Sequence, residues 1–189
     1  MFVAPEIELV RRTARERYTA EQVREALDRM ARQIAADLAR KRPLVIAVMH
    51  GGAFAAVEVC KRFDFAYEFD YVHVGRYGAG LTGGELTWIV RPKATFRDRA
   101  VLLVEDVVDR GLTLTAVQAE ITLIGVAELR TAVLVRKASY PGDPRPRVDY
   151  VGLETGSEYL FGCGMDYKGY WRNLPSLFAV EESASGSAS

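Results

Sequence analysis

The chain has 189 residues, enough for one domain with a sizeable core, and its 25 Lys and Arg balance its 25 Asp and Glu, so net charge offers no pull toward nucleic acid or a membrane surface. Two cysteines, Cys60 and Cys163, are too few for a disulfide scaffold and lack metal-ligand spacing; buried free thiols in a reducing compartment are expected. No apolar run approaches membrane-spanning length and the first residues show no basic segment leading an apolar one, so the chain reads as soluble and cytoplasmic.

Residues 1–18 carry no clear pattern and are expected at an edge of the domain. Thr19 opens a helix: Thr19-Ala20-Glu21-Gln22 is a capping box, and Val23, Leu27, Met30, Ile34 and Leu38 recur at helical spacing as a core-facing stripe. Pro43 ends it, and residues 44–49 read as the first buried strand. His50-Gly51-Gly52 follows, then a helical pattern over 53–62. Strand, small-residue turn and helix N-terminus together suit an anion, although a tight turn with a solvent-facing His accounts for the residues equally well. A second strand covers 67–74. Residues 75–84 then hold five glycines, at the spacing of neither a dinucleotide fingerprint nor a Walker loop. This stretch reads as a mobile lid or as a slack hairpin, and 85–90 as the returning strand.

The stretch 101–114, VLLVEDVVDRGLTL, is the centre of the chain. Val101, Leu102, Leu103 and Val104 read as a strand buried on both faces. Glu105 and Asp106 are placed at its C-terminal end, where ligands bind in open α/β sheets. Asp109, Arg110, Gly111, Leu112 and Thr113 turn into a helix, with Gly111 for the unusual backbone and Thr113 as cap and hydroxyl donor. Free backbone N–H groups and the positive helix end suit phosphate there, while the acids suit sugar hydroxyls and a metal. The helix runs over 113–124 to Gly125. Residues 130–135 form the next buried strand, closing with Arg136-Lys137 on the rim that carries Asp109; an ordinary exposed cation is the bland alternative. Residues 139–147 are a proline-rich loop and 150–153 a short strand. Residues 158–167 combine aromatics and glycine in a flap too short to be a domain, and 181–189 are low-complexity and expected to be disordered.

The central stretch resembles the PRPP motif of the type I phosphoribosyltransferases: a hydrophobic run, two acids, two apolar residues, then Asp, a variable residue, Gly, a variable residue and Thr. Lys137 and the 158–167 segment are similar to the hypoxanthine-guanine branch. The resemblance covers roughly residues 20–180. It implies an α/β fold with a parallel central sheet flanked by helices and a small hood at the sheet's C-terminal rim. A single domain over 1–180 follows, its core about 42–137 and its hood about 148–178 with N-terminal residues.

It also implies roles. Glu105, Asp106, Asp109, Arg110, Gly111, Leu112 and Thr113 would hold PRPP, with Asp109 as catalytic base. His50, Gly51 and Gly52 would receive pyrophosphate, with a cis peptide before His50 and His standing where relatives have Lys, which makes the charge depend on pH. Arg172 would lie near pyrophosphate. Lys137, preferred over Arg136, would meet the purine's 6-oxo group, Tyr159 would stack on the base, and Leu160 and Asp166 would meet its 2-position edge. Arg76 and Tyr77 would belong to the lid; Tyr77 matches the family's Ser-Tyr pair and Arg76 departs from it. Arg110 stands where relatives have Thr. Mg²⁺ would be supported by Glu105, Asp106 and Asp166. The implied reaction is purine salvage, PRPP plus hypoxanthine or guanine giving IMP or GMP and pyrophosphate, in a homodimer or homotetramer. A xanthine- or adenine-preferring transferase is the alternative within enzymes; a PRPP-sensing nucleic-acid-binding regulator is the alternative outside them.

Overall fold

The structure, a computed structural model, describes residues 5–77, 85–138, 142, 144 and 146–180, with the backbone alone at 76, 77, 85, 86 and 94. The glycine-rich lid stretch 78–84 and the tail 181–189 lie outside the described residues. The larger sheet takes its strands in the order β4 (Glu85–Val90), β3 (Glu68–Tyr77), β2 (Leu44–Met49), β5 (Ala100–Val108), β6 (Glu128–Lys137) and β7 (Tyr150–Thr155). All neighbours run parallel except β4, which returns antiparallel on β3. The sheet is therefore mixed, not wholly parallel, because a short connection from β3 to β4 cannot make a parallel crossover.

Alternate residues of the central strands feed two cores. Val45, Ala47, Leu102 and Val104 pack under α2 (Ala20–Leu38) and α3 (Gly51–Cys60). Leu44, Ile46, Val101 and Leu103 pack under α4 (Leu112–Ile124) on the other face. That two-sided burial is why these strands are continuous apolar runs. α2 starts as its sequence dictates: Thr19 Oγ1 accepts from the Gln22 amide and Gln22 Oε1 accepts from the Thr19 amide. The connections from β2 and from β5 leave in opposite directions along the sheet. The crevice between these two strands is thus a topological switch point, the position where open α/β sheets bind ligands.

Residues 5–18 form elements that the sequence does not suggest, α1 (Pro5–Thr13) and β1 (Arg15–Tyr18). β1 joins β9 (Leu177–Ala179) and β8 (Leu160–Phe161) in a small antiparallel sheet, order β1-β9-β8. Val10, Phe161 and Phe178 form its core, with Tyr167 and Trp171 packed against them. This is the expected hood, built from both N-terminal and C-terminal residues.

Other boundaries shift. α3 begins at Gly51 rather than at Ala53, and β3 continues to Tyr77. β5 does not end before Glu105: it runs on to Val108, because Val107 and Val108 pair with Val135 and Arg136 of β6. Thr113 does not cap α4. Gly111, at φ 76°, holds the N-cap position without a side-chain cap bond, and Thr113 lies inside the first turn. Glycine is required at 111 twice over, since a Cβ would also fall 2.6 Å from Pro146 Cδ.

Candidate active site

The two halves of the switch point touch through glycine. A Cβ on Gly51 would sit 1.7 Å from Asp106 Oδ2, and one on Gly52 would sit 2.7 Å from the Val104 carbonyl oxygen. The paired glycines are therefore not merely a flexible turn. They let the start of α3 close directly onto the acidic end of β5. The Met49–His50 peptide is cis. His50 is exposed at the N-cap position of α3 and makes no side-chain capping bond.

Glu105 and Asp106 are buried in the strand. Glu105 Oε1 accepts from the Asp106 amide at 3.1 Å, and Asp106 Oδ1 accepts from the Val107 amide at 2.8 Å. Burial, and then the negative charge of Asp106, holds the Glu105 carboxyl well above the usual carboxylate range. Burial also raises Asp106, opposed by hydrogen bonds and by the positive charge of Arg172. Two adjacent buried carboxylates are a donor set that suits a hard cation. That fits Mg²⁺, which needs only one or two carboxylates and otherwise takes water and phosphate oxygens. Asp166 does not join them. Its Oδ1 pairs with Arg172 at 2.5 Å and its Oδ2 accepts from the Gly169 amide at 2.7 Å. Among the described residues no group of three His, Cys, Asp or Glu side chains is arranged to hold a metal ion.

Asp109 sits just past β5, its carboxylate half-exposed, and Lys137 Nζ lies 3.1 Å from its Oδ2. The Lys137 side chain is 9% exposed. Arg136 points elsewhere: it pairs with Glu154 at the surface and is 47% exposed. Successive residues of a strand face opposite sides, and of the two it is Lys137, not Arg136, that lies beside Asp109.

Three spaces open on this rim, and Asp109 lines all of them. One, about 100 Å³, is walled by Glu105, Asp109 and residues 110–114 at the start of α4. The second, about 210 Å³, lies under the hood between Asp106, Asp109, Lys137, Tyr159, Leu160 and Asp166, with Met165 as a further wall. The third, about 420 Å³, runs from Lys137 toward Pro144 and Pro146. The hood wall is held in place by its own bonds: Tyr159 Oη donates to the Asp166 carbonyl at 2.8 Å, and Arg172 Nη1 donates to the Gly164 carbonyl at 2.6 Å. Gly164 in turn packs on the Gly51 carbonyl, where a Cβ would come within 2.5 Å, so hood and α3 are in direct contact.

The structure thus gathers Glu105, Asp106, Asp109, Arg110, Gly111, Leu112, Thr113, Lys137, Tyr159, Leu160 and Asp166 around connected spaces at one rim. Gly51 and Arg172 abut them. Arg76 and Tyr77 are placed by backbone pairing with Leu86 and Glu85 at the end of β3. Met165 and His73 were not singled out by sequence. Met165 reads as a core residue of the flap, and His73 as one polar position in a strand; only the long-range packing places either at the site.

Comparison with known proteins gives the family. The family model described as phosphoribosyl transferase domain matches residues 15–168. The hypoxanthine-guanine-xanthine phosphoribosyltransferase of Tritrichomonas foetus is 30% identical over 161 residues, 83% of this chain and 88% of that protein. The bifunctional protein TilS/HprT of Listeria innocua serovar 6a is 30% identical over 160 residues, so the chain matches 24% of that longer protein's length. A solved hypoxanthine-guanine-xanthine phosphoribosyltransferase superposes with a TM-score of 0.79 at 26% identity, covering 89% of this chain and 97% of that one.

Proposed function

The chain belongs to the phosphoribosyl transferase domain family, on its hypoxanthine-guanine side, and on that premise we propose that it makes IMP and GMP for purine salvage by moving the 5-phosphoribosyl group of PRPP to N9 of the base. The observation that carries this reading is the position of Asp109, on the wall shared by the small α4 cradle and the space under the hood. A ribose joining a phosphate in the first to a base in the second must pass it.

The residues then divide the work. The N–H groups at the start of α4, with the Thr113 hydroxyl, bind the 5′-phosphate, favoured by the helix's positive end. Gly51 and Gly52 bring the amides of α3 against the pyrophosphate, with His50 beside them and Arg172 behind. Tyr159 presents its ring to the base, and Leu160 and Asp166 border its 2-position edge. Asp109 accepts the N7 proton while N9 attacks the anomeric carbon. Mg²⁺, held by Glu105 and Asp106 with substrate oxygens, would neutralise the departing pyrophosphate. Lys137 turns from Asp109 to donate to the 6-oxo group. Adenine, with an amino donor at that position, meets a donor and is rejected. The deciding assay measures PRPP-dependent release of pyrophosphate with hypoxanthine, guanine, xanthine, adenine and uracil, each with and without Mg²⁺. Turnover of 6-oxopurines that requires Mg²⁺ supports the reading, and selective turnover of adenine or uracil refutes it.

Lys137→Ala removes a charged partner of the 6-oxo group, worth about 1.5–3 kcal/mol. At about 1.4 kcal/mol per decade this is roughly a ten- to hundredfold fall in kcat/KM for hypoxanthine and guanine alike. PRPP affinity should hold. Loss of PRPP binding with base binding intact would mean that Lys137 faces phosphate.

The assembly is part of the same reading. Phe69 and Tyr71 are in register with Val45 and Ala47, on the α3 side of the sheet, yet remain exposed, as do Tyr67 and, on α3, Phe54 and Val57. Exposed large apolar side chains gathered on β3 and α3 suit a second copy of the chain. Light scattering after gel filtration should give a dimer or tetramer, and Phe69→Glu with Tyr71→Glu should yield a monomer; a monomeric parent protein removes this part of the reading.

A further inference from the structure

The chain contains two histidines, and they touch: the rings of His50 and His73 lie 4.5 Å apart between centroids, edge to face at 68°. They come from different elements. His50 stands at the start of α3; His73 lies on β3, in register with Met49 at the end of β2. Their meeting is fixed by the sheet and not by local sequence.

His73 is firmly held. Among the described residues of β3 it is the one paired on both sides, with Met49 on one and Val90 on the other. The β3–β4 register slips just past it: His73 pairs with Val90 and Val74 with Trp88, so the extra residue is Ile89 of β4. His50, by contrast, is exposed and its side chain makes no capping bond. An imidazole donates along fixed directions in its own plane, so an unrestrained one at the mouth of an anion site points productively only part of the time.

We propose that His73 is a positioning residue for the reaction: its ring fixes the orientation of the His50 imidazole, so that His50 presents an N–H to the pyrophosphate moiety of PRPP. This rests on the reading that residues 50–52 receive pyrophosphate. His73 does not act as a second cation. Burial, and then the nearby His50, holds its pKa below the ordinary histidine value, leaving a neutral ring at neutral pH.

The test is a double-mutant cycle read by calorimetric binding of inorganic pyrophosphate with Mg²⁺, with IMP as the control ligand. His73→Ala should weaken pyrophosphate roughly three- to tenfold, the scale of one aromatic pair, and leave IMP unchanged. His73→Phe keeps the edge-to-face contact and should stay close to the parent protein, which guards against an alanine variant that folds poorly. In a His50→Asn background His73→Ala should have no further effect. In a His50→Lys background it should also have none, since a flexible ammonium needs no ring to orient it. A His73→Ala effect that persists without His50, or a His73→Phe loss as large as that of Ala, overturns the positioning role. Unchanged affinity in His73→Ala overturns it too. If instead His50→Asn alone leaves pyrophosphate binding intact, the reading of the 50–52 loop fails and takes this inference with it.

Discussion

Asp109→Asn should leave a folded protein that binds PRPP and turns over roughly 10²–10⁴ times more slowly, the usual span for a lost general base. The fold should survive because the Asp109 carboxylate is half-exposed at the rim. An amide of the same shape still accepts a hydrogen bond from Lys137 but cannot take the N7 proton. The fall should therefore appear in kcat, measured by rapid quench at saturating PRPP and base, with KM for PRPP nearly constant. A turnover close to that of the parent protein, in a variant with an unchanged melting temperature, would falsify the assignment of the base.

Gly51→Ala should be nearly as damaging, and for a steric reason. The added methyl would fall 1.7 Å from Asp106 Oδ2. That atom is the end of a side chain, so it can swing away, and the fold should hold. The carboxylate then leaves the place proposed for it beside Mg²⁺ and the pyrophosphate, and a displacement of about 1 Å at a reacting site can cost on the order of 10²-fold in rate. Gly52→Ala makes the informative contrast. Its methyl meets the Val104 carbonyl oxygen at 2.7 Å and Glu105 Cα at 3.1 Å, which are backbone and cannot swing. It should lower the melting temperature, whereas Gly51→Ala should lower activity at almost unchanged stability. Equal activity in Gly51→Ala and the parent protein would show that the Asp106 position is not critical.

Much of this was legible in the residues because the signals are local. The Thr19 capping box, the Leu44–Met49 strand and Gly125 at the end of α4 each depend on neighbours a few positions away, and each stands where the sequence puts it. The failures share a cause. Glu105 and Asp106 interrupt an apolar run, so local reading ends the strand there; pairing of Val107 and Val108 with β6 carries it past them. Arg15–Tyr18 has no alternation to mark it, and becomes a strand only because β9 is there to pair with it. Gly51-Gly52 reads as a turn by propensity, but the close approach to β5 requires glycine inside a helix. The pairing of His50 with His73 is invisible for the same reason. Which of Arg136 and Lys137 lies beside Asp109 is a matter of facing, which the folded strand shows and a motif does not.

The hood has a consequence in time. Ribosomes deliver residues in order, and every strand of the large sheet lies before residue 156, while the β9 partner of β1 lies at Leu177–Ala179. At the usual pace of about 5–20 residues per second, the phosphate-binding half of the site can be assembled seconds before the base-binding half exists. During that interval β1 has no partner strand, and its open edge is a template for pairing with another chain. Nascent chains stalled ahead of residue 177 should accordingly protect the large sheet from protease while leaving residues 5–18 open to it. Equal protection of both segments would mean that the N-terminal strand is held by something other than β9. The hood, and with it the proposed base-binding wall, thus closes only after the large sheet has been synthesised.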